Sequence, residues 1–133
     1  ILREHMLPWY RKIADAARRK GKPFVLHCCG NMKGFMDELI DTGINAKHSF
    51  EDKIEPVWEA KELYGDRIAL LGGVDVNILC SYSEEDTRRH VRSVIERCAG
   101  KGFALGSGNS VTDYMKVDNY LAMIDEARRY NKA

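Results

Sequence analysis

Apolar residues follow two alternating rhythms along the chain. Over residues 1–22, Trp9, Ile13, Ala16 and Ala17 recur at helical spacing before Gly21 and Pro23 break the pattern, which predicts a helix with that stripe inward. Short apolar runs then alternate with helix-spaced stretches. Phe24, Val25 and Leu26 predict a strand ending in His27, Cys28, Cys29, Gly30 and Asn31, and Phe35, Met36, Leu39 and Ile40 mark the helix after it. Residues 44–50 predict a second, more polar strand between Gly43 and the acidic pair Glu51 and Asp52, with Val57, Ala60 and Tyr64 on the next helix. Residues 68–71 are continuously apolar, as in a strand buried on both faces, and run into Gly72, Gly73, Val74 and Asp75. Ser83 is placed to cap a helix with Glu84, Glu85 and Asp86 in its first turn and Val91, Val94, Ile95 and Cys98 along its buried stripe. Residues 103–105 predict the fourth strand, and Asp118 precedes a last helix with Leu121, Ile124 and Ala127 inward.

Four strands, each followed by a helix, define an α/β fold with a parallel sheet and right-handed crossovers. The expected organisation is a single domain over residues 1–133, with a leading helix over 1–22 and four βα units over 23–133. No dinucleotide-binding glycine signature is present, since the glycines near Gly106 and Gly108 do not make GxGxxG and follow the last strand instead of the first. A closed (β/α)8 barrel takes about 250 residues, so this chain supplies about half of one. Half a barrel leaves open strand edges and an uncovered inner face, and the expected partner is therefore the missing half or a second copy of the chain. The start at Ile1, inside a helical pattern, suggests that sequence has been removed upstream.

Composition narrows the function. With 21 basic and 20 acidic residues the net charge is +1, which argues against disorder and leaves no basic surplus for nucleic acid. The run Arg18, Arg19, Lys20 and Lys22 falls at a helix end, where cations suit the dipole. No apolar run approaches the roughly 18 residues of a membrane span, and no signal-peptide pattern is present, so a cytoplasmic protein without a membrane partner is expected. Two of the four cysteines, Cys28 and Cys29, are adjacent and would bridge only with strain, which favours reduced thiols or metal ligands.

Polar and glycine residues gather at the carboxyl end of every strand, where barrels and open α/β sheets place their sites. His27 and Cys29 lie two apart on an extended segment, so both side chains point to one side and can reach one ion, and nitrogen with sulfur suits tetrahedral zinc. The plainer alternative has His27 capping the strand and Cys29 filling core space. Cys28 should point to the helices and Cys98 to the core, while Cys80, past the third strand, is a candidate further ligand. Asp75 is a candidate catalytic carboxylate that can orient a ligand, accept a proton or hold the following turn. His48 and Ser49 are candidates to line the pocket, with a solvated loop as the alternative for His48. Ser107, Asn109 and Ser110 offer hydroxyl, amide and backbone donors to an anion such as a carboxylate, and Ser107 is the second catalytic candidate. His5 and His90 fall on polar helix faces and receive no role.

Four stretches, in their order and spacing, carry a family resemblance: HCCGN from His27, YGDRIALLGGVDVN from Tyr64, GFALGSGNS from Gly102 and DNYLAMIDEARRY from Asp118. Over residues 23–130 the chain resembles the uroporphyrinogen decarboxylase superfamily, which includes the decarboxylases and the methylcobamide:coenzyme M methyltransferases. The resemblance implies the carboxy-terminal half of a (β/α)8 TIM barrel. Zinc methyltransferases of this superfamily carry His-x-Cys at one strand end, matched by His27 and Cys29, and a further cysteine at the last strand, where Ser107 stands and where the decarboxylases have histidine. The implied activity is methyl transfer between a corrinoid carrier and a thiol or other acceptor, with zinc as cofactor and a small molecule or corrinoid protein as substrate. An acceptor thiol on zinc would lose its proton and attack the methyl group. Two alternatives stay open. One is metal-free uroporphyrinogen decarboxylation in tetrapyrrole biosynthesis, whose key aspartate and arginines lie toward the amino-terminal half. The other is a non-catalytic tetrapyrrole- or corrinoid-binding relative, which Ser107 makes credible. Because a barrel site draws on strands from both halves, the isolated chain is expected to be inactive.

Overall fold

The computed structural model describes residues 1–131. The chain opens with a wide π-helical turn, Leu2–Met6, that passes into α1, Leu7–Arg19. Pro8 sits in the first turn of α1, where its fixed φ suits a helix. The single helix expected over 1–22 is thus shorter and changes its winding partway. Its orientation also differs from expectation, because Leu7 and Ala14 are buried while Trp9 and Ile13 are 61% and 46% exposed. Only a narrow strip of α1 touches the sheet layer: Leu7 enters the core and Tyr10 packs on Phe24 with ring centroids 6.4 Å apart. Trp9 is left outside, with the Lys12 ammonium 4.3 Å above its ring.

Four parallel strands follow in chain order: β1, Val25–His27; β2, Ala46–His48; β3, Ala69–Val74; and β4, Phe103–Ser107. After β1 a 3₁₀ turn leads into α2, Met36–Ile40, and after β2 comes α3, Val57–Tyr64. Two helices follow β3, namely α4, Val76–Ser81, and α5, Glu84–Arg97, and β4 leads to α6, Val117–Tyr130. Strands in sequence order with helical crossovers form an open arc of the kind that closes into a (β/α)8 barrel. Among the described residues no helix is long and apolar enough to cross a membrane.

Register divides the sheet into two faces. Leu26, Lys47, Leu70 and Phe103 are aligned across the strands on the helix side, where they join Met36, Leu39, Val57, Ala60, Val94 and Cys98. The next row, His27, His48, Leu71 and Ala104, lies on the opposite face. That face is uncovered, with Ala104 exposed and Val25, one pleat earlier, 45% exposed. Lys47 is the surprise on the apolar side. Its ammonium donates to the Ser49 carbonyl at 2.7 Å and stands 4.1 Å over the Phe50 ring, and burial lowers its pKa.

The expected Ser83 cap is present, with the Asp86 amide donating to Ser83 Oγ at 3.1 Å. Val91, Val94 and Cys98 are buried along α5 as the spacing requires, and burial pushes the Cys98 thiol up to about 11. Helix α6 is turned differently from expectation: Asn119, Ala122, Met123 and Glu126 are buried, while Leu121 is exposed. Polar partners set this rotation. Glu126 Oε1 accepts from Arg92 Nε and Nη2 at 2.9 and 2.6 Å, and Asn119 Nδ2 donates to the Leu79 and Tyr82 carbonyls at 3.1 and 3.0 Å.

Candidate functional site

Parallel pairing brings the carboxyl ends of all four strands to one rim. Because His27 and His48 are Cα partners across β1 and β2, their rings lie side by side with centroids 4.9 Å apart and Nδ1 atoms 2.7 Å apart. Cys29, two residues on, returns to the same side, and its Sγ stands 3.3 Å from His27 Nε2. Imidazole and sulfur therefore converge as the extended spacing predicts. Cys28, one residue out of phase, packs against the core instead. Ser49 Oγ donates toward Cys29 Sγ at 3.8 Å, and the Cys29 thiol can donate to Asn109 Oδ1 at 3.7 Å.

The donor pair fits zinc. Bonds of about 2.0 Å to nitrogen and about 2.3 Å to sulfur at a tetrahedral angle separate the two atoms by about 3.5 Å; the observed separation is 3.3 Å. Two donors make half of a tetrahedral shell. Among the described residues no three His, Cys, Asp or Glu side chains converge to complete it. Cys80 packs instead beside Val74, Leu79, Val91 and Met115, so this candidate ligand is used as core.

The remaining candidates divide. Asp75 Oδ1 accepts from the Asn77 amide at 2.7 Å and caps α4, a helix absent from the sequence expectation, while Oδ2 accepts from the Asp52 amide at 3.1 Å. Its carboxylate is thus engaged in holding the turn. Ser107 Oγ donates to the Asn109 carbonyl at 2.7 Å, and the Ser107 carbonyl meets His48 Nε2 at 3.0 Å, so Ser107 reaches the site through its backbone. Asn109 Nδ2 donates to Glu51 Oε1 at 2.6 Å, which links the loop after β4 to the exit of β2 and turns the amide oxygen toward Cys29. Ser110 donates its amide to Asn109 Oδ1 at 2.8 Å. With Glu51, Val76, Asn109, Thr112 and Tyr114, Ser110 lines a cleft of about 330 Å³.

Sequence reasoning missed a second polar group beside the rim. Burial, and then the Asp75 charge, raise Asp52 to about 6, and its Oδ2 lies 4.0 Å from His90 Nε2. His90 does not sit on a polar face as expected. It is half-buried with its ring edge toward Trp58, 6.4 Å between centroids, and burial lowers its pKa. Asp52 Oδ1 and His90 Nε2 are both buried without a hydrogen-bond partner among the described residues. The adjacent acids at the β2 exit were the available signal, but they read only as a strand boundary.

Comparison with known proteins agrees with the fold. In sequence the chain is similar to a methylated-thiol–coenzyme M methyltransferase of Methanosarcina mazei, 30% identical over 74 residues that make up 56% of this chain and 18% of that protein. In fold it is similar to a solved methyltransferase from Methanosarcina mazei, with a TM-score of 0.78 and 22% identity over 98% of this chain and 37% of the other. The chain therefore spans well under half the length of the relatives it matches, and its unclosed four-stranded sheet resembles part of a TIM barrel. A family model described as uroporphyrinogen decarboxylase (URO-D) matches residues 1–130. Since that match takes in nearly the whole chain, the chain belongs to the uroporphyrinogen decarboxylase (URO-D) family.

Proposed function

We propose that the protein is a methyltransferase of this family, moving a methyl group between a corrinoid carrier and a thiol or other acceptor, with zinc held in part by His27 and Cys29. The observation that carries the reading is the 3.3 Å approach of His27 Nε2 to Cys29 Sγ on the rim where barrels place their chemistry. Similarity to a methylated-thiol–coenzyme M methyltransferase supports this branch over decarboxylation.

When bound, zinc would lower the pKa of an acceptor thiol and make it nucleophilic near neutral pH. His27 and Cys29 would hold the ion from one side, and the remaining protein ligand would come from outside the described residues. Ser49 Oγ donates to Cys29 Sγ and would steady a thiolate there. Glu51 holds the Asn109 amide, and Asn109 and Ser110 line the cleft that would receive the polar end of the acceptor. The exposed inner face, to which Val25 and Ala104 belong, is read as the surface that the rest of a barrel, or a second copy, covers. The reading also carries a cytoplasmic location, where thiols stay reduced.

Metal analysis of the intact protein beside a Cys29→Ser variant tests it. Stoichiometric zinc in the native protein and its loss in the variant is the expected result; equal and negligible zinc in both removes the proposal. Conversion of uroporphyrinogen to coproporphyrinogen by metal-free protein would favour the decarboxylase reading instead.

A further inference from the structure

His48 is held at both ring nitrogens. Its Nε2 lies 3.0 Å from the Ser107 carbonyl oxygen, and a carbonyl only accepts, so Nε2 carries the proton. In a neutral imidazole the other nitrogen is then an acceptor. The atom facing it at 2.7 Å is His27 Nδ1, which must therefore donate. His27 Nε2 is left without a hydrogen, and its lone pair faces Cys29 Sγ 3.3 Å away.

We infer that His48 is a positioning residue: anchored on the Ser107 backbone carbonyl, it fixes His27 in the Nδ1–H tautomer and aims the Nε2 lone pair at the space beside Cys29. The inference rests on the proposed reading of His27 and Cys29 as a donor pair. Outer hydrogen bonds of this kind orient ligating imidazoles and raise their basicity. The sheet makes room for the anchor at Gly72. A Cβ there would stand 2.8 Å from the Ser107 carbonyl oxygen and 3.0 Å from His48 Cδ2, on a backbone with φ of +106°. Register supplies the rest, since pairing His27 with His48 brings the two rings to one face.

Long-range proton–nitrogen spectra of the intact, metal-free protein labelled with ¹⁵N-histidine read the tautomer directly. The native protein should show His27 as the Nδ1–H form. His48→Phe keeps a ring but offers no acceptor, and should release His27 to the Nε2–H form. His48→Gln can accept from His27 and donate to Ser107, and should restore the native pattern. Zinc affinity by chelator competition should fall about 10- to 100-fold in the Phe variant and recover in the Gln variant. The tautomer switch between native protein and His48→Phe, together with no zinc binding by the native protein, would sustain the positioning role while removing the zinc reading. An Nε2–H tautomer in the native protein, no change in His48→Phe, or equal losses in both variants would overturn the positioning role whatever the metal result. Should His48→Phe fail to fold, the native tautomer alone decides.

Discussion

The backbone amide of Asp52 donates to Asp75 Oδ2 at 3.1 Å, so the carboxylate that starts α4 also ties the exit of β2 to the exit of β3. Asp75→Ala removes both the cap and the tie. A loss of about 1–2 kcal/mol is expected from a cap and a hydrogen bond together. Asp75→Asn keeps an acceptor oxygen at the cap and should lose less. Urea unfolding of the two variants measures the difference, and an unchanged midpoint for Asp75→Ala would mean that the cap contributes nothing.

Asp52 gives the fold a pH dependence of defined sign. Burial and the Asp75 charge raise its folded value to about 6, with Arg97 opposing, against about 4 for an unfolded aspartate. Between these values the folded state holds a proton that the unfolded chain has released. The contribution is therefore present in acid and is lost as pH rises through about 6. Asp52→Asn should gain about 1 kcal/mol at neutral pH, after discounting for partial solvent screening, and nothing at about pH 4. Denaturation at the two pH values checks this, and an equal effect at both would refute it.

Gly72→Ala should destabilise the protein by about 2–3 kcal/mol through backbone strain and close contact. The added carbon would meet Ser107 and His48 at 2.8 and 3.0 Å. Gly106→Ala, where a Cβ finds nothing nearer than Gly72 Cα at 3.8 Å, is the control and should be milder. Thermal unfolding of the pair would expose an error if their order were reversed.

Thiol reactivity separates the cysteines. Cys98 is fully buried with its thiol pushed up to about 11, so alkylation at neutral pH should miss it until the protein unfolds. Exposed Cys29 should label first in metal-free protein. Peptide mass spectrometry after a short pulse gives the order, and early labelling of Cys98 would contradict the packing described.

Three strands were legible because each is a short apolar run ending in glycine and polar residues, β2 was bounded by Gly43 and the pair Glu51 and Asp52, and the convergence of His27 with Cys29 followed from the two-residue period of an extended chain. The core faces of α3 and α5 were equally plain, through Val57 and Ala60 and through Val91 and Cys98. What escaped depends on contacts distant in sequence. Leu121 looked inward by hydrophobicity, yet α6 is rotated by Glu126 meeting Arg92 and by Asn119 closing the end of α4. Trp9 and Ile13 form a helical stripe that stays exposed, outside the core formed by the described residues. Lys47, Asp52 and His90 are polar residues drawn beneath the surface by neighbours that local pattern does not reveal. The bond from Asn109 to Glu51 joins loops 58 positions apart.

Neighbours Lys47 and His48 meet opposite fates, one sunk among aliphatic groups beneath the sheet and the other turned to its open side. Were β2 to slide by a single step against β1, the two would trade places: the ammonium would stand where the imidazole belongs, and His27 would lose its neighbour. Removing one residue from the short connection before Ala46 should thus harm this region more than most point substitutions within it. Losing two would at least preserve which side each residue faces.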